Sequence, residues 1–251
     1  MHRCPIDSAR LRSQGAIALD RSESRHLQTV LRLRQGDEVE LFDGRGSTRR
    51  VRAAALSREG IVFEPVDPEP VFHPRPRCAV TIAACIGKGH RMDWTVEKAV
   101  ELGAARIIPV VSERTIARPD PADFDSKSGR WARIAIETVR QCDSAWAPEI
   151  MAPTPFAEAV AELRKNGAPL FAAILRKGTR PVREALDALR AANPPPAAAG
   201  WISGPEGDFT PAEEDALIAA GATPVSLGRF ILRAETAAIY GLCVLGAALD
   251  P

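Results

Sequence analysis

The chain has 251 residues, of which 45% are hydrophobic and 26% are charged, so it can bury one large core or two of ordinary size. This balance argues against an intrinsically disordered chain. The formal net charge is only +1, so the molecule as a whole gives no reason to expect a polyanionic partner.

The charge is unevenly distributed along the sequence. Residues 1–77 contain 14 Arg, no Lys and 11 acidic residues, a net charge of +3, whereas the remainder carries −2. The planar guanidinium can donate two parallel hydrogen bonds to a phosphate, although a genome that favours Arg codons would give the same excess. A small basic module beside a near-neutral one fits nucleic-acid binding.

Metal sites, disulfides and membrane segments are not indicated. The five cysteines form no CxxC pair, which predicts buried, reduced thiols. The four histidines are scattered without metal-ligand spacing, and Cys85 with His90 fits a buried thiol beside a loop histidine better than a catalytic pair. The start of the chain lacks a secretory pattern, and residues 236–249 are too short to span a bilayer, which needs about 20 apolar residues. These features predict a cytoplasmic protein without bound metal.

In chain order, the first part consists of short strands. A helix is predicted at 22–33, and strands at 38–44, 48–56 and 60–66 are separated by turns that contain glycine. This pattern predicts a small β-barrel domain over residues 1–72. Four prolines fall within 67–77, and proline removes backbone donors and favours extended chain, so this stretch is predicted to be a linker.

Residues 73–251 alternate between apolar strands and helices. The predicted strands are 78–86, 106–111, 169–175, 198–203 and 223–228, and the predicted helices are 92–103, 129–142, 155–167, 182–192, 211–220 and 235–249. Such alternation predicts an α/β domain whose parallel sheet is covered by helices on both faces. Ligands of such sheets bind beyond the carboxyl ends of the strands, which selects the loops 176–180, 204–209 and 229–234.

The loop 204–209 contains more glycine than its helix requires. Thr210 as N-cap, Pro211 at the first helical position and Glu213 as capping-box partner already explain the start of the helix. Gly204-Pro205-Glu206-Gly207 is therefore either a structural turn or a place where backbone approaches a ligand. It lacks the Lys of a P-loop, and Glu206 and Asp208 would repel an anion, which favours a neutral or cationic ligand.

The loop 229–234 places a cation at the positive end of a helix. Glu235 in the first turn is favoured by the helix dipole, but Arg233 is unfavourable there unless an anionic group compensates. Either Glu235 or a substrate could be that group. Arg229 reads as a solvated surface charge.

Four motifs together resemble one known family. They are RHLQTVLRLRQGDEVELFDGRG (25–46), GKGHRMDWTVEKAVELGAARIIPVVSER (87–114), GPEGDF (204–209) and LGRFILRAETA (227–237). In this order, they are similar to the 16S ribosomal RNA uridine-N3 methyltransferases of the SPOUT, or trefoil-knotted, superfamily. The resemblance implies a PUA-like β-barrel that binds RNA, followed by a knotted domain that binds S-adenosylmethionine (SAM), in a homodimer joined through the terminal helix that acts on 16S rRNA or the 30S subunit.

The resemblance also implies roles for particular residues. Arg233 would stabilise the negative charge that develops on the uracil carbonyl oxygens, with Glu235 holding it. SAM would be bound by Ile174, Leu175, Ser203, Gly204, Glu206, Gly207, Leu227, Gly228, Ile231, Leu232, Ala234, Thr236 and Ala237. RNA would be bound by Arg25, His26, Arg32, Arg34, Lys88 and Arg91.

The chain departs from the family pattern at three places. Asp208 stands where a second glycine is usual, Phe230 where an arginine is usual, and residues 140–144 lack the usual Glu and final Arg. Two further readings therefore remain: a SPOUT methyltransferase with another RNA or protein target, and an RNA-binding relative whose catalytic pocket has lapsed.

Overall fold

The computed structural model describes residues 1–165, 167–192 and 194–249. The chain forms two compact units, one made of Met1–Arg75 with Val139–Ala147 and the other of Pro76–Thr138 with Pro148–Pro251. The first unit thus ends three residues later than the sequence predicted. It also contains a segment that the sequence assigned to the second domain. Residue 166 of the predicted helix 155–167, and residues 250 and 251, lie outside the described residues.

Backbone hydrogen bonds explain why residues 139–147 belong to the first unit. The amide of Gly46 donates to the carbonyl oxygen of Ala145, and the amide of Ala147 donates to that of Gly44, both at 2.9 Å. Such pairing joins positions about a hundred residues apart and leaves no mark on local hydrophobic periodicity, so the sequence pattern could not predict it.

The first unit is built on a six-stranded sheet. Its strands are β1 (His2–Pro5), β2 (Ile17–Asp20), β3 (Glu38–Phe42), β4 (Ser47–Leu56), β5 (Gly60–Pro65) and β6 (Val71–Phe72), and its helices are α1 (Ser8–Leu11) and α2 (Arg21–Thr29). The strand order is β1-β3-β4-β5-β2, with β6 paired to β4. The short β6 lies within the predicted linker, where it is too brief to give a sequence signal.

A buried arginine occupies the centre of this unit. Arg49 on β4 is only 1% exposed, and its guanidinium donates to the carbonyl oxygens of Leu11, Ser13, Asp67 and Pro68. Because a guanidinium can only donate, four carbonyl acceptors satisfy it without a buried carboxylate. Arg49 therefore has a structural role and does not belong to the basic surface of this unit.

The second unit contains an eight-stranded parallel sheet. Its strands are β7 (Ala79–Cys85), β8 (Arg106–Val111), β9 (Glu149–Ile150), β10 (Thr154–Pro155), β11 (Leu170–Ala173), β12 (Arg180–Pro181), β13 (Ala198–Ser203) and β14 (Thr223–Ser226). Their order is β10-β8-β7-β13-β11-β14-β12, with β9 paired to β8, and every pair is parallel. The predicted parallel α/β sheet is confirmed.

Helices cover both faces of this sheet. They are α3 (Arg91–Glu101), α4 (Phe124–Gln141), α5 (Phe156–Arg164), α6 (Val182–Arg190), α7 (Pro211–Ala219) and α8 (Ala234–Leu249). Ile202 on β13 packs in a cluster with residues of α5 and α7. Its neighbour Trp201 faces the opposite way, as alternation along a strand requires, and lies against Gly241 of α8. No helix in the described part of the chain is both long and apolar enough to cross a membrane.

One helix begins earlier than the sequence predicted. The pattern placed its start at residue 129, whereas α4 starts at Phe124 and follows a 3-10 turn at Pro121–Asp123. Residues 125–129 are polar or glycine, so they contribute nothing to the apolar periodicity on which the prediction depended. Asp120 instead caps this start, its side chain accepting from the amide of Ala122 at 2.9 Å.

Candidate active site

Three loops of the second unit converge on one cavity of about 620 Å³. They follow β11, β13 and β14, three neighbouring strands of the sheet, and are the same loops that the sequence selected. The volume lies within the roughly 300–1,000 Å³ range of small-molecule sites. The cavity is lined by Arg91, Ala173, Ile174, Leu175, Arg176, Thr179, Gly204, Pro205, Glu206, Asp208, Ser226, Leu227, Gly228, Arg229, Phe230, Ile231, Leu232, Arg233, Ala234 and Ala237.

The loop after β13 is fixed by the helix that follows it. Thr210 and Glu213 form the predicted capping box, with Pro211 in the first turn of α7. A side chain on Gly204 would be crowded, because its Cβ would lie 3.0 Å from Oδ1 of Asp208 and 3.1 Å from the amide nitrogen of Phe209. Gly204 therefore has a structural reason of its own, besides any approach of its backbone to a ligand.

Asp208 joins two of the three loops. Its backbone is in the left-handed region at φ 57°, where a glycine is usual. One carboxylate oxygen accepts from the amide of Leu175 at 3.2 Å, and the other from the amide of Phe209 at 2.8 Å. The carboxylate thus holds the loop after β11 to the loop after β13.

Arg91 at the start of α3 binds two carboxylates at the cavity. Its Nη1 donates to Oε1 of Glu206, and its Nε lies 3.8 Å from Oε1 of Glu235. The expected repulsion of anions by Glu206 is therefore partly neutralised, which sequence reasoning could not see because Arg91 lies 115 positions away along the chain. Arg91, predicted as an RNA contact, is part of the lining of the cavity.

Arg233 lines the cavity and is exposed. Glu235, one of the two partners considered for Arg233, forms no ion pair with it among the described residues, and its carboxylate lies near Arg91. Side chains two positions apart at a helix start point in different directions, which explains the difference. The guanidinium of Arg233 is therefore paired with no carboxylate of the described residues. The backbone carbonyl oxygen of Arg233 accepts from the amide of Ala237 at 2.8 Å.

Two buried oxygens at this site are unsatisfied. Oγ of Ser203 and Oε2 of Glu235 have no hydrogen-bond partner among the described residues, although Ser203 is only 1% exposed. Buried polar atoms are normally paired, so both oxygens are unusual, although neither Ser203 nor Glu235 is among the residues that line the cavity. Large apolar side chains also remain outside the core at its rim, with Leu175, Phe230 and Ile231 at 62%, 69% and 80% exposure. Clustered exposed apolar groups mark binding sites.

The structure places the predicted SAM-binding residues in and around this cavity. Ten of them line it: Ile174, Leu175, Gly204, Glu206, Leu227, Gly228, Ile231, Leu232, Ala234 and Ala237. Ser203, Gly207 and Thr236 are outside the lining, each next to a residue that belongs to it. Sequence reasoning missed Arg176, Thr179 and Ser226, and it treated Arg229 as a solvated charge although it too lines the cavity.

The remaining predicted RNA contacts are not among the residues that line this cavity. Arg25, Arg32 and Arg34 are exposed on the first unit and His26 is half-buried, while Lys88 is exposed in the loop before α3. Arg25 borders a groove together with Arg21 and Arg58, two cations that the motif comparison did not select.

The titration of Cys85 bears on one alternative, a catalytic cysteine. Burial raises the pKa of the Cys85 thiol to about 12, so it stays protonated and is no nucleophile at neutral pH. Burial and then the charge of Asp208 raise the pKa of Glu214. No group of three or more His, Cys, Asp or Glu side chains in the described residues could hold a metal ion.

The fold and the cavity agree with two family profiles. An RNA methyltransferase domain matches residues 73–246, and an RNA methyltransferase PUA domain matches residues 19–66. Together they define the class of protein, a two-module RNA methyltransferase.

Individual relatives narrow the class. A ribosomal RNA small subunit methyltransferase E of Synechocystis sp. is 32% identical, covering 94% of this chain and 75% of the relative. That of Mycobacterium tuberculosis is 30% identical, covering 92% and 87%. The chain belongs to the family of ribosomal RNA small subunit methyltransferase E. The resemblance drawn from the four motifs is confirmed at the level of this family.

Solved structures agree over nearly the full length. The ribosomal RNA small subunit methyltransferase E of Neisseria gonorrhoeae, bound to S-adenosyl methionine, superposes with a TM-score of 0.83 at 28% identity, covering 98% of this chain and 97% of that one. A Legionella pneumophila protein in complex with the bound cofactor SAM gives 0.85 at 27% identity, covering 99% and 98%.

Proposed function

We propose that the protein transfers a methyl group from SAM to N3 of a uridine in the 16S rRNA of the small ribosomal subunit. The observation that carries the proposal is the convergence of three strand-end loops on one cavity that contains the GPEG and ILRAET residues, in a chain of this family. A ribosomal substrate implies a cytoplasmic enzyme.

The residues of the cavity fit SAM. Leu175, Leu227 and Ile231 offer apolar surface to an adenine ring. Two carboxylates, those of Glu206 and Asp208, and four guanidinium groups, those of Arg91, Arg176, Arg229 and Arg233, line the cavity. Such a mixed lining suits a ligand that carries both cationic and anionic groups, as SAM does. When bound, SAM supplies an activated methyl group on a sulfonium, so the protein has only to position the reactants and stabilise charge.

We assign charge stabilisation to Arg233. Loss of the N3 proton places negative charge on the two flanking carbonyl oxygens of uracil, and a fixed cation near them lowers the barrier. Arg233 is suited to this role because it lines the cavity, is exposed, and is free of a carboxylate partner among the described residues. Glu235 then acts indirectly on the reaction, as a positioning residue that holds Arg91 near Glu206.

The test is methylation of small subunits that lack the modification. Arg233→Ala is expected to lower kcat by roughly 10²–10³-fold, the usual loss on removing one charge-stabilising group, while the Kd for SAM measured by calorimetry changes little. Arg183→Ala, which removes an exposed cation of α6 outside the lining of the cavity, serves as control and should keep the wild-type rate. Wild-type rates for Arg233→Ala with unchanged SAM affinity would exclude the assignment.

The position of the methyl group decides between targets. Mass mapping of modified nucleosides in 16S rRNA should show N3-methyluridine lost when the gene is deleted and restored by the wild-type protein. Methylation of another RNA would favour a SPOUT methyltransferase with a different target. Absence of SAM binding would favour an RNA-binding relative that has lost its catalytic pocket.

We infer that the enzyme is a homodimer joined through α8. Thr236, Tyr240, Cys243 and Ala247 are exposed and follow one another at helical spacing, so they form a single uncharged face. An exposed face without charge fits contact with a second copy of the chain.

We infer further that the second unit is knotted. The support is the path of the chain into α8. In the sheet, β11 separates β14 from β13 and β7, yet α8, which follows β14 in the sequence, packs on β7 and β13. A crystal structure traced through residues 200–249 tests this: a chain end that passes beside the loops, and not through them, would contradict it.

A further inference from the structure

An aromatic and cationic surface of the first unit takes no part in the cavity described above. It consists of Phe72, Arg75, Trp146 and Arg45, and we name it the Trp146 surface. Phe72 is 64% exposed, and Arg45 and Arg75 are exposed as well. An exposed aromatic side chain that is grouped with a second aromatic ring and two exposed arginines is typical of a binding surface.

Trp146 is held firmly in place. Its Nε1 donates to the carbonyl oxygen of His73 at 3.0 Å, and its amide donates to Oγ of Ser144 at 3.0 Å. The ring lies against the backbone of Gly46, where a Cβ would come within 2.3 Å of Cζ2 of the indole. Gly46 also has φ 97°, so both its conformation and its lack of a side chain serve the position of this ring.

The fixed indole in turn orients its two exposed neighbours. The ring of Phe72 meets it edge-on, with centroids 5.8 Å apart and planes at 87°. The guanidinium carbon of Arg75 lies over the indole, 4.0 Å from the ring centroid. Only one face of a guanidinium can cover the indole, so its other face is available to a second flat partner.

The charges of the surface favour a polyanion. Neither Arg45 nor Arg75 forms an ion pair with a carboxylate in the described part of the chain. The carboxylate nearest in sequence, Asp43, already accepts from the hydroxyl of Ser8 and from the amides of Arg45 and Ser47. Two uncompensated cations beside exposed aromatic faces match a strand that carries both phosphates and flat bases.

We propose that the Trp146 surface binds unpaired bases of the RNA substrate, with Phe72 and Arg75 stacking on bases and Arg45 meeting a phosphate. The proposal rests on the proposed function, since it assumes that the substrate is RNA. Of the four residues of this surface, Arg45 falls within the motif 25–46, whereas Phe72, Arg75 and Trp146 lie outside all four family motifs.

The test compares two probes that differ only in their bases. Binding of the full chain is measured to a short single-stranded oligouridylate and to an abasic oligomer of the same length and charge. Phe72→Ala is expected to weaken binding of the oligouridylate about tenfold, since it removes the ring on which one base stacks, and to leave binding of the abasic oligomer unaffected. Phe72→Tyr keeps the ring and should bind as the wild type does.

Arg75 gives an independent arm. Arg75→Lys keeps the charge but removes the plane, so the oligouridylate should bind several-fold more weakly with an unchanged salt dependence, because the number of released counterions stays the same. Val71→Ala is the control, since Val71 is exposed beside Phe72 but has no ring. Because all these side chains are exposed, the variants are expected to unfold at the temperature of the wild type.

Three results would overturn the proposal. They are wild-type affinity for the oligouridylate in both Phe72→Ala and Arg75→Lys, equal losses for the base-bearing and abasic probes, or a change of sedimenting mass in Phe72→Ala without a change in RNA affinity. Methylation by the wild type separates the two claims: a wild type that methylates small subunits while the variants bind normally removes the Trp146 surface and leaves the proposed function intact.

Discussion

Asp208 shows how one side chain can replace the conformational freedom of a glycine. A residue with a Cβ in the left-handed region costs about 1–2 kcal/mol. Here the carboxylate offsets that cost by accepting from the amides of Leu175 and Phe209. The departure from the family pattern is thus locally compensated, and it adds a link between two loops of the active site.

Two substitutions separate the strain from the hydrogen bonds. Asp208→Ala keeps the strain and loses both bonds, so the free energy of unfolding should fall by about 1–3 kcal/mol. Asp208→Gly loses the bonds but relieves the strain, and should stay within about 1 kcal/mol of the wild type. Urea denaturation measures both, and equal stability of the two variants would contradict this account.

At the scale of elements, the close packing of α8 on the sheet depends on one glycine, Gly241. A Cβ on Gly241 would lie 1.9 Å from Cε2 of Trp201, which is fully buried, whereas a Cβ on Gly246 would meet nothing within 4 Å. The helix therefore approaches β13 closely at one turn and is unconstrained a little more than one turn later.

The two glycines of α8 provide a matched pair. Gly241→Ala is expected to lower the free energy of unfolding by about 1–3 kcal/mol, because it overpacks a rigid ring. Gly246→Ala should be neutral or stabilising by up to about 1 kcal/mol through helix propensity. Thermal unfolding of both variants checks this, and a loss of stability of the same size in each would show that helix packing is not the cause.

The start of α2 makes the first unit sensitive to acid. A hydrogen bond from Arg10 holds the pKa of Glu23 below its ordinary value of 4.5, and a backbone hydrogen bond from Glu23 lowers that of Asp20 below 3.8. A carboxylate with a depressed pKa in the folded state stabilises that state above its ordinary pKa, and this contribution is lost as pH falls through the folded value.

Hydrogen exchange at α2 should follow this titration. As pH falls from about 7 to about 3, protection of the amides in residues 21–29, corrected for intrinsic exchange, is expected to decrease. In Arg10→Gln the protection should begin lower and decrease less, because Glu23 has lost its partner. A pH profile unaffected by Arg10→Gln would place the acid sensitivity elsewhere.

Sequence patterns predicted those elements that carry periodic apolar residues. The strands at 106–111 and 198–203 match to the residue, and the capping box of Thr210 and Glu213 formed as expected. The pairing of Arg91 with Glu206 and the return of residues 139–147 were not predictable, because each depends on contacts between distant positions. The sequence predicted buried thiols, but Cys243 is exposed. Apolar periodicity alone does not distinguish a helix face that packs in the core from one that remains exposed.

At the scale of the whole molecule, the exposed face of α8 determines the proposed assembly. Tyr240 and Cys243 lie at its centre, and no charge of α8 follows Glu235. In water such a face is stabilised by burial against an apolar partner, and a second copy supplies an identical face.

Sedimentation should therefore give twice the chain mass of 27.0 kDa. Tyr240→Asp places a charge in the proposed interface and is expected to yield monomers. Ile218→Asp, which changes an apolar residue of α7 that is 41% exposed, should remain a dimer. A wild-type protein that sediments as a monomer at micromolar concentration would refute the assembly.

The first unit is formed by two separate segments of the chain, which has a consequence for biosynthesis. Its last segment, Val139–Ala147, leaves the ribosome 72 residues after Arg75, a delay of roughly 4–15 s at about 5–20 residues per second. The nascent N-terminal sheet must wait through that interval with the turn at Gly44–Gly46 unpaired. Completion of the module that emerges first thus depends on translation well into the second.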